Sequence, residues 1–146
     1  MLRRLTSTSS SWATVPLRLA LGTIFIAHGA QKVFGAWSGP GLGRFTSFPA
    51  PFPFMRPAWV WMGLAAFSEF IGGVLVLLGL LTRAGAFLIA CVILTAMIGV
   101  HWRNGFFLSP TAFGIEYTVA LIGIVLALLI AGGGQASIDR LIGGRR

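Results

Sequence analysis

The chain has 146 residues, of which 56% are hydrophobic and only 10% charged, with a mean hydropathy of +0.88 and a formal charge of +8. A water-soluble domain carries about 25% charged residues to keep its surface wetted, so this composition excludes a soluble globular protein and indicates an integral membrane protein. The basic excess does not indicate nucleic acid. The Lys and Arg residues stand at the ends of apolar segments, without a basic stripe or recognition motif, and read as topology signals and lipid-headgroup contacts.

Residues 1–12 are basic and Ser/Thr-rich and are expected to form a disordered tail. Arg3 and Arg4 imitate the start of a signal peptide. However, Arg18 interrupts the apolar run, which continues past any small-residue cleavage site, so an uncleaved first span is expected over about 13–35. The stretch "AWSGPGLGRFTSFPAPFPFMRP" follows, and Pro49, Pro51, Pro53 and Pro57 forbid regular helix there. Its phenylalanines place it along the membrane interface.

Three more spans are expected, over about 58–81, 84–102 and 111–131, each near the roughly 20 residues a bilayer core requires. Spans two and three are joined by little more than Thr82-Arg83 and form an antiparallel hairpin. Neither "LIACVILTAMIGV" nor "VALIGIVLALLIA" has the polar face that a water-exposed helix needs. Residues 132–146 form the C-terminal tail, where Ser137 is placed to cap a short amphipathic turn around Ile138 and Leu141. The expected fold is all-α, a four-helix transmembrane bundle.

An even number of spans puts both termini on one side. Arg3, Arg4, Arg18, Arg83, Arg140, Arg145 and Arg146 lie on that side, against Lys32, Arg44, Arg56 and Arg103 on the other. This asymmetry assigns the termini to the cytoplasm.

Charged groups inside a bilayer are costly, about 2.5–3.5 kcal/mol at a helix centre on insertion scales. Arg18, His28, Lys32, Glu69 and Glu116 fall within the spans, and His101 and Arg103 end the third. At 1.5 Å per residue, His28 lies about 20 Å above the cytoplasmic end, Lys32 about 25 Å, Glu69 about 14 Å and Glu116 about 22 Å. These heights pair Lys32 with Glu116 and His28 with Glu69. Small residues share the faces of the charges: Gly22 and Gly29 on the first span, Ala65, Ala66, Gly72 and Gly73 around Glu69, Ala112, Ala120, Gly123 and Ala127 around Glu116. Small residues let membrane helices approach closely, so each charge is expected on a packing face. Two readings of the cluster stand. It is either a set of ion pairs that fixes assembly, or a polar cavity that binds a small molecule or moves protons.

Other chemistries find no motif. Cys91 stands alone, which leaves neither an intramolecular disulfide nor a Cys-x-x-Cys pair and reads as a small hydrophobe. Glu69 and Glu116 lack the following His of a carboxylate-bridged metal bundle, so no metal site is expected. A bis-histidine haem would need His28 and His101 level, whereas helical rise separates them by about 6 Å. "GPGLGR" lacks the strand and helix of a phosphate loop, and no flavin, nicotinamide or hydrolytic-triad pattern is present.

Three blocks, "LRLALGTIFIAHGAQKVFGAW" (17–37), "AAFSEFIGGVLVLLGLLTRAGAFL" (65–88) and "HWRNGFFLSPTAFGIEYTVALIGIVLALLIAGGGQASIDR" (101–140), resemble the DoxX family of small bacterial membrane proteins. The resemblance implies a multi-pass protein of the bacterial inner membrane. It maps the family's recurrent polar positions onto Arg18, His28, Lys32, Glu69, Arg83, His101, Asn104 and Glu116, with Gly105 completing the "HWRNG" block. It also implies a subunit supporting quinone-linked oxidoreduction, with a quinone as the ligand and redox partner proteins or a homo-oligomer as its assembly. A His beside a carboxylate can hydrogen-bond quinone carbonyls and exchange protons, which gives His28 and Glu69 that role. Lys32 and Glu116 would hold the neighbouring charge balance, and Arg18 and Arg83 would anchor at the cytoplasmic interface. Two alternatives remain: non-enzymatic small-solute binding or transport, and a membrane scaffold.

Overall fold

The computed structural model describes residues 6–143, and these form helices and loops without a strand. The helices are α1 (Thr14–Phe34), a short α2 (Gly41–Thr46), α3 (Ala58–Leu78), α4 (Thr82–Ala96), α5 (Glu116–Ala131) and a short α6 (Ile138–Gly143). Beyond Ala96, α4 continues through a wide π turn at Met97–His101 and a tight turn at Trp102–Asn104. The helix α3 and the continuous stretch Thr82–Asn104 are long and apolar enough to cross a membrane, while α5 is apolar but shorter.

Local signals account for the boundaries. Gly35 ends α1 in the left-handed conformation, and its N–H bonds the Ala30 carbonyl. Gly79 ends α3 the same way at φ 67, three residues before the expected end, because only a residue without Cβ adopts this turn without strain. The hairpin connection is therefore Gly79–Leu81, and Thr82 and Arg83 already belong to α4. The fourth segment becomes helical only at Glu116, not near 111. Pro110 interrupts the chain ahead of it, and the Ile115 and Glu116 N–H groups bond back to the Gly105 and Phe106 carbonyls.

The long helices close into a ring: α1 packs on α3, α3 on α4, α4 on α5, and α5 returns to α1. Glycines set the spacing between α1 and α3. A Cβ on Gly29 would lie 2.5 Å from the Phe70 backbone nitrogen, and one on Gly73 would lie 2.7 Å from that of Ile26. Backbones this close gain dispersion contacts that larger side chains would prevent. The enclosed core is apolar, built on Leu21, Phe25, Val76, Ile89, Leu121 and Leu128. Outside it, Ile71, Phe87 and Ile130 stand largely exposed, a coat suited to lipid rather than water.

The small-residue face of α5 departs from expectation. Ala120 and Gly123 are exposed, and nothing lies within 4 Å of a Cβ built on Gly123. Thr118, Leu121, Val125 and Leu128 are the buried face of α5 instead, and the last three belong to the apolar core.

Residues 6–12 also differ from the expected disordered tail. Ser9 N–H bonds the Ala131 carbonyl at 2.9 Å, Gln135 bonds the Ser10 and Ser11 carbonyls, and Thr8 bonds Gly134 N–H. The segment's Ser and Thr residues satisfy the backbone left open where α5 ends. Arg3, Arg4, Arg145 and Arg146 of the charge asymmetry lie outside the described residues.

Candidate functional site

Lys32, in the last turn of α1, places its ammonium nitrogen 2.5 Å from both carboxylate oxygens of Glu69 in α3. The Glu69 side chain is 5% exposed and that of Lys32 24%, so the pair sits at the edge of the interior. A buried carboxylate is tolerated only when it is paired, and Lys32 supplies the partner. The Lys32 nitrogen also lies 5.2 Å from the centre of the Phe45 ring, which helps keep the charge in an apolar setting.

The expected pairs, Lys32–Glu116 and His28–Glu69, are not formed. Counting heights assumed that every helix starts in one plane, whereas α1 and α3 are staggered. Gly22 meets Leu77, Gly73 meets Ile26 and Gly29 meets Phe70, so Lys32 projects level with Phe67. Glu69 is two residues away, about 3 Å along the axis, well within reach of a lysine. Glu116 is the first residue of α5 and half-buried; its carboxylate makes no hydrogen bond or ion pair among the described residues. A carboxylate in a helix's first turn is favoured by the helix dipole. His28 is exposed and makes no hydrogen bond among the described residues.

Two cavities flank the ion pair. The first, about 340 Å³, is walled by Phe45, Met55, Trp61 and Met62, with Lys32, Glu69, Ser68, Cys91 and Thr95 as its polar groups. Pro51 of the Pro/Phe loop sits where a Cβ on Gly99 would be, 2.6 Å from its own Cβ, so the π turn of the α4 extension seats the loop that roofs this cavity. The second, about 390 Å³, lies between α1, α4 and α5 and gathers His28, His101, Tyr117 and Thr118 around Lys32 and Glu69. Both volumes suit a small organic ligand. Val92 and Ala96 of α4, together with the ion pair, line both.

Three of the expected residues act on the roof of the second cavity. His101 Nδ1 lies 3.0 Å, and Asn104 Nδ2 3.1 Å, from the Phe113 carbonyl, so two donors hold the 105–115 loop over the second cavity. Gly105 opens that loop at φ 78. The structure thus brings together His28, Lys32, Glu69 and His101 around one cavity and leaves Glu116 outside it.

Arg18 and Arg83 serve at the other end, and not as free anchors. Arg18 is buried beyond the end of α3, where it donates to the Val76, Leu77, Gly133 and Ala136 carbonyls at 2.7–3.0 Å. The stagger of α1 puts it there, and orphan carbonyls at a helix C-terminus are natural partners for a guanidinium. Arg83 donates to Ser7 Oγ and the Ile130 carbonyl, each at 2.7 Å.

Sequence reasoning passed over Asp139, which is 1% exposed. Its carboxylate accepts from Leu81 N–H at 2.7 Å and from the N–H and hydroxyl of Thr82 at 2.9 and 2.7 Å, and so caps α4 from the tail. Its charge also acts on Arg18. The available signal was scarcity: with three acidic residues in 146, none is incidental.

Among the described residues, no three of His, Cys, Asp or Glu gather as a metal site. The family model described as DoxX matches residues 13–102. The chain is 32% identical over 126 residues to the inner membrane protein YphA of Escherichia coli, covering 84% of this chain and 85% of that protein. It is 30% identical over 145 residues to an uncharacterized membrane protein of Mycobacterium tuberculosis, covering 91% and 83%. A protein of Haemophilus influenzae is 29% identical over 127 residues, covering 86% and 80%. No solved structure matches the chain.

Proposed function

Because the chain belongs to the DoxX family of membrane proteins, we propose that it is a four-span subunit of the bacterial inner membrane, with both termini cytoplasmic, that binds a quinone beside the Lys32–Glu69 pair and supports quinone-linked electron transfer. The observation that carries this reading is the ion pair at the edge of a largely apolar, aromatic-lined cavity of about 340 Å³. A quinone ring is flat and apolar, with two carbonyl acceptors, and it reaches its site from the bilayer. Trp61 and Phe45 offer aromatic faces to such a ring, and the Lys32 ammonium offers a charged donor to one carbonyl. Glu69 is the adjacent group able to hold or release a proton, the role first given to it with His28. A quinone passes electrons and protons together, which a proton-exchanging pair at the ring edge would serve. The electrons would go to or come from a partner protein.

The test is binding of a short-chain quinone to the purified protein in nanodiscs, comparing wild type with Lys32→Met and Glu69→Gln. Saturable wild-type binding is expected. Loss of a charged hydrogen bond worth about 1.5–3 kcal/mol would weaken it by about 10–100-fold in Lys32→Met. A folded wild type that binds no quinone would overturn the reading and leave small-solute passage or scaffolding.

A further inference from the structure

The second cavity has no assigned part in quinone binding. We propose that it is an aqueous antechamber through which the Lys32–Glu69 pair exchanges protons with the membrane face opposite the two termini, and with that face alone. This deepens the reading of the ion pair as the working site, but it does not depend on which ligand binds there.

Both histidines and the tyrosine near the pair line the second cavity, whereas the first has Ser68, Cys91 and Thr95. His101 stands at the outer end of α4, and Tyr117 and Thr118 lie in the first turn of α5, at the same end. Both α5 residues and His101 line the cavity that Glu69 shares, and His28 lines it one turn below Lys32, above Ile24 and Phe25. These side chains can hold water and relay protons, as isolated apolar walls cannot. The rim is loop, not helix: residues 105–115 cover it, held at the Phe113 carbonyl by His101 and Asn104 and at the Gly105 and Phe106 carbonyls by the start of α5.

Toward the termini the interior is dry. Leu21, Val76, Ile89 and Leu128 are wholly buried, one from each of the long helices, and form a closed apolar layer. Beyond it, Arg18 and Asp139 are committed to backbone and Thr82 partners. Val76 is seven residues from Glu69, so this layer stands about 10 Å along the axis from the pair, and α3 offers no polar side chain between them.

The ionisable side chains that share a cavity lining with Glu69 are Lys32 and His28 of α1, Cys91 of α4, His101 of its extension and Tyr117 of α5. Arg44 of α2, Arg56 of the loop and Glu116 line neither cavity.

Cysteine accessibility tests the proposal without a quinone. In a Cys91→Ser background, His28→Cys, Tyr117→Cys and Thr118→Cys would be treated with a membrane-impermeant sulfonated thiosulfonate, in right-side-out and inside-out vesicles. A C-terminal tag cleaved by added protease identifies the face bearing the termini. His28 and Tyr117 are exposed, so their variants should fold even if Thr118→Cys does not. Modification from the face opposite the tag, and none from the tag's face, is expected, with Val76→Cys and Leu128→Cys unmodified from either. Modification from the tag's face, or of none of the cavity positions, would overturn the antechamber. Failure here with intact quinone binding would leave the ligand reading standing, and the converse result would leave the antechamber standing.

Discussion

Lys32 and Glu69 form a pair in which each side chain makes the other tolerable. Removing one partner of a buried pair costs about 3–5 kcal/mol, because it strands the other charge. With a quarter of Lys32 exposed, Lys32→Met should fall at the lower end, about 3 kcal/mol, and Lys32→Met with Glu69→Leu should recover most of it. Chemical unfolding in detergent, read as a double-mutant cycle, checks both. Asp139 is the other carboxylate on which structure depends. Asp139→Asn turns one of its acceptors into a donor facing the Thr82 N–H, and should cost about 1–3 kcal/mol. Faster hydrogen exchange at Leu81 and Thr82 would locate that loss at the start of α4. Glu69 was legible as an inward carboxylate, since its expense in an apolar segment demands a partner. Its partner was not legible, because that depends on the stagger of two helices, which no single segment encodes.

Between elements, the close approach of α1 and α3 governs the site. Gly29→Val would drive a side chain into the Phe70 backbone, and a cost at or above the usual overpacking range of about 1–3 kcal/mol is expected. Gly123→Val, on the open face of α5, should change stability by no more than about 0.5 kcal/mol. Melting midpoints of the two variants in the same detergent check the contrast. Both glycines sit in a small-residue stripe, so sequence alone ranked them equally. Helix existence was legible from unbroken apolar runs, and Gly79 and Gly35 were legible as stops in principle. The late start of α5 was not, because it follows from hydrogen bonds made by a loop that carries no periodic pattern.

For the molecule as a whole, the two ends of the described segment meet. Residues 6–12, the end of α5 and the tail through Asp139 are tied together, and Arg18 joins them to α3. In the proposed four-span arrangement this knot lies in the cytoplasm. Alkaline phosphatase fused after Gly105 should then be active, and fusions after Gly79 or at the C-terminus inactive; the reverse pattern would invert the topology. The basic residues that direct insertion act before the helices pack, so the later burial of Arg18 does not remove it from that count.

The sequence by itself determined the class of protein, the number and rough extent of its apolar segments, and the residues too costly to be buried by accident. Those follow from composition and from the price of charge in hydrocarbon, which are local properties. Tertiary structure decided the rest: that Lys32 meets Glu69, that Glu116 stays outside the cavity, that Asp139 caps a helix far from it in sequence, and that two cavities share one ion pair. Each depends on helix stagger and rotation, set by how closely backbones can approach where glycines face one another.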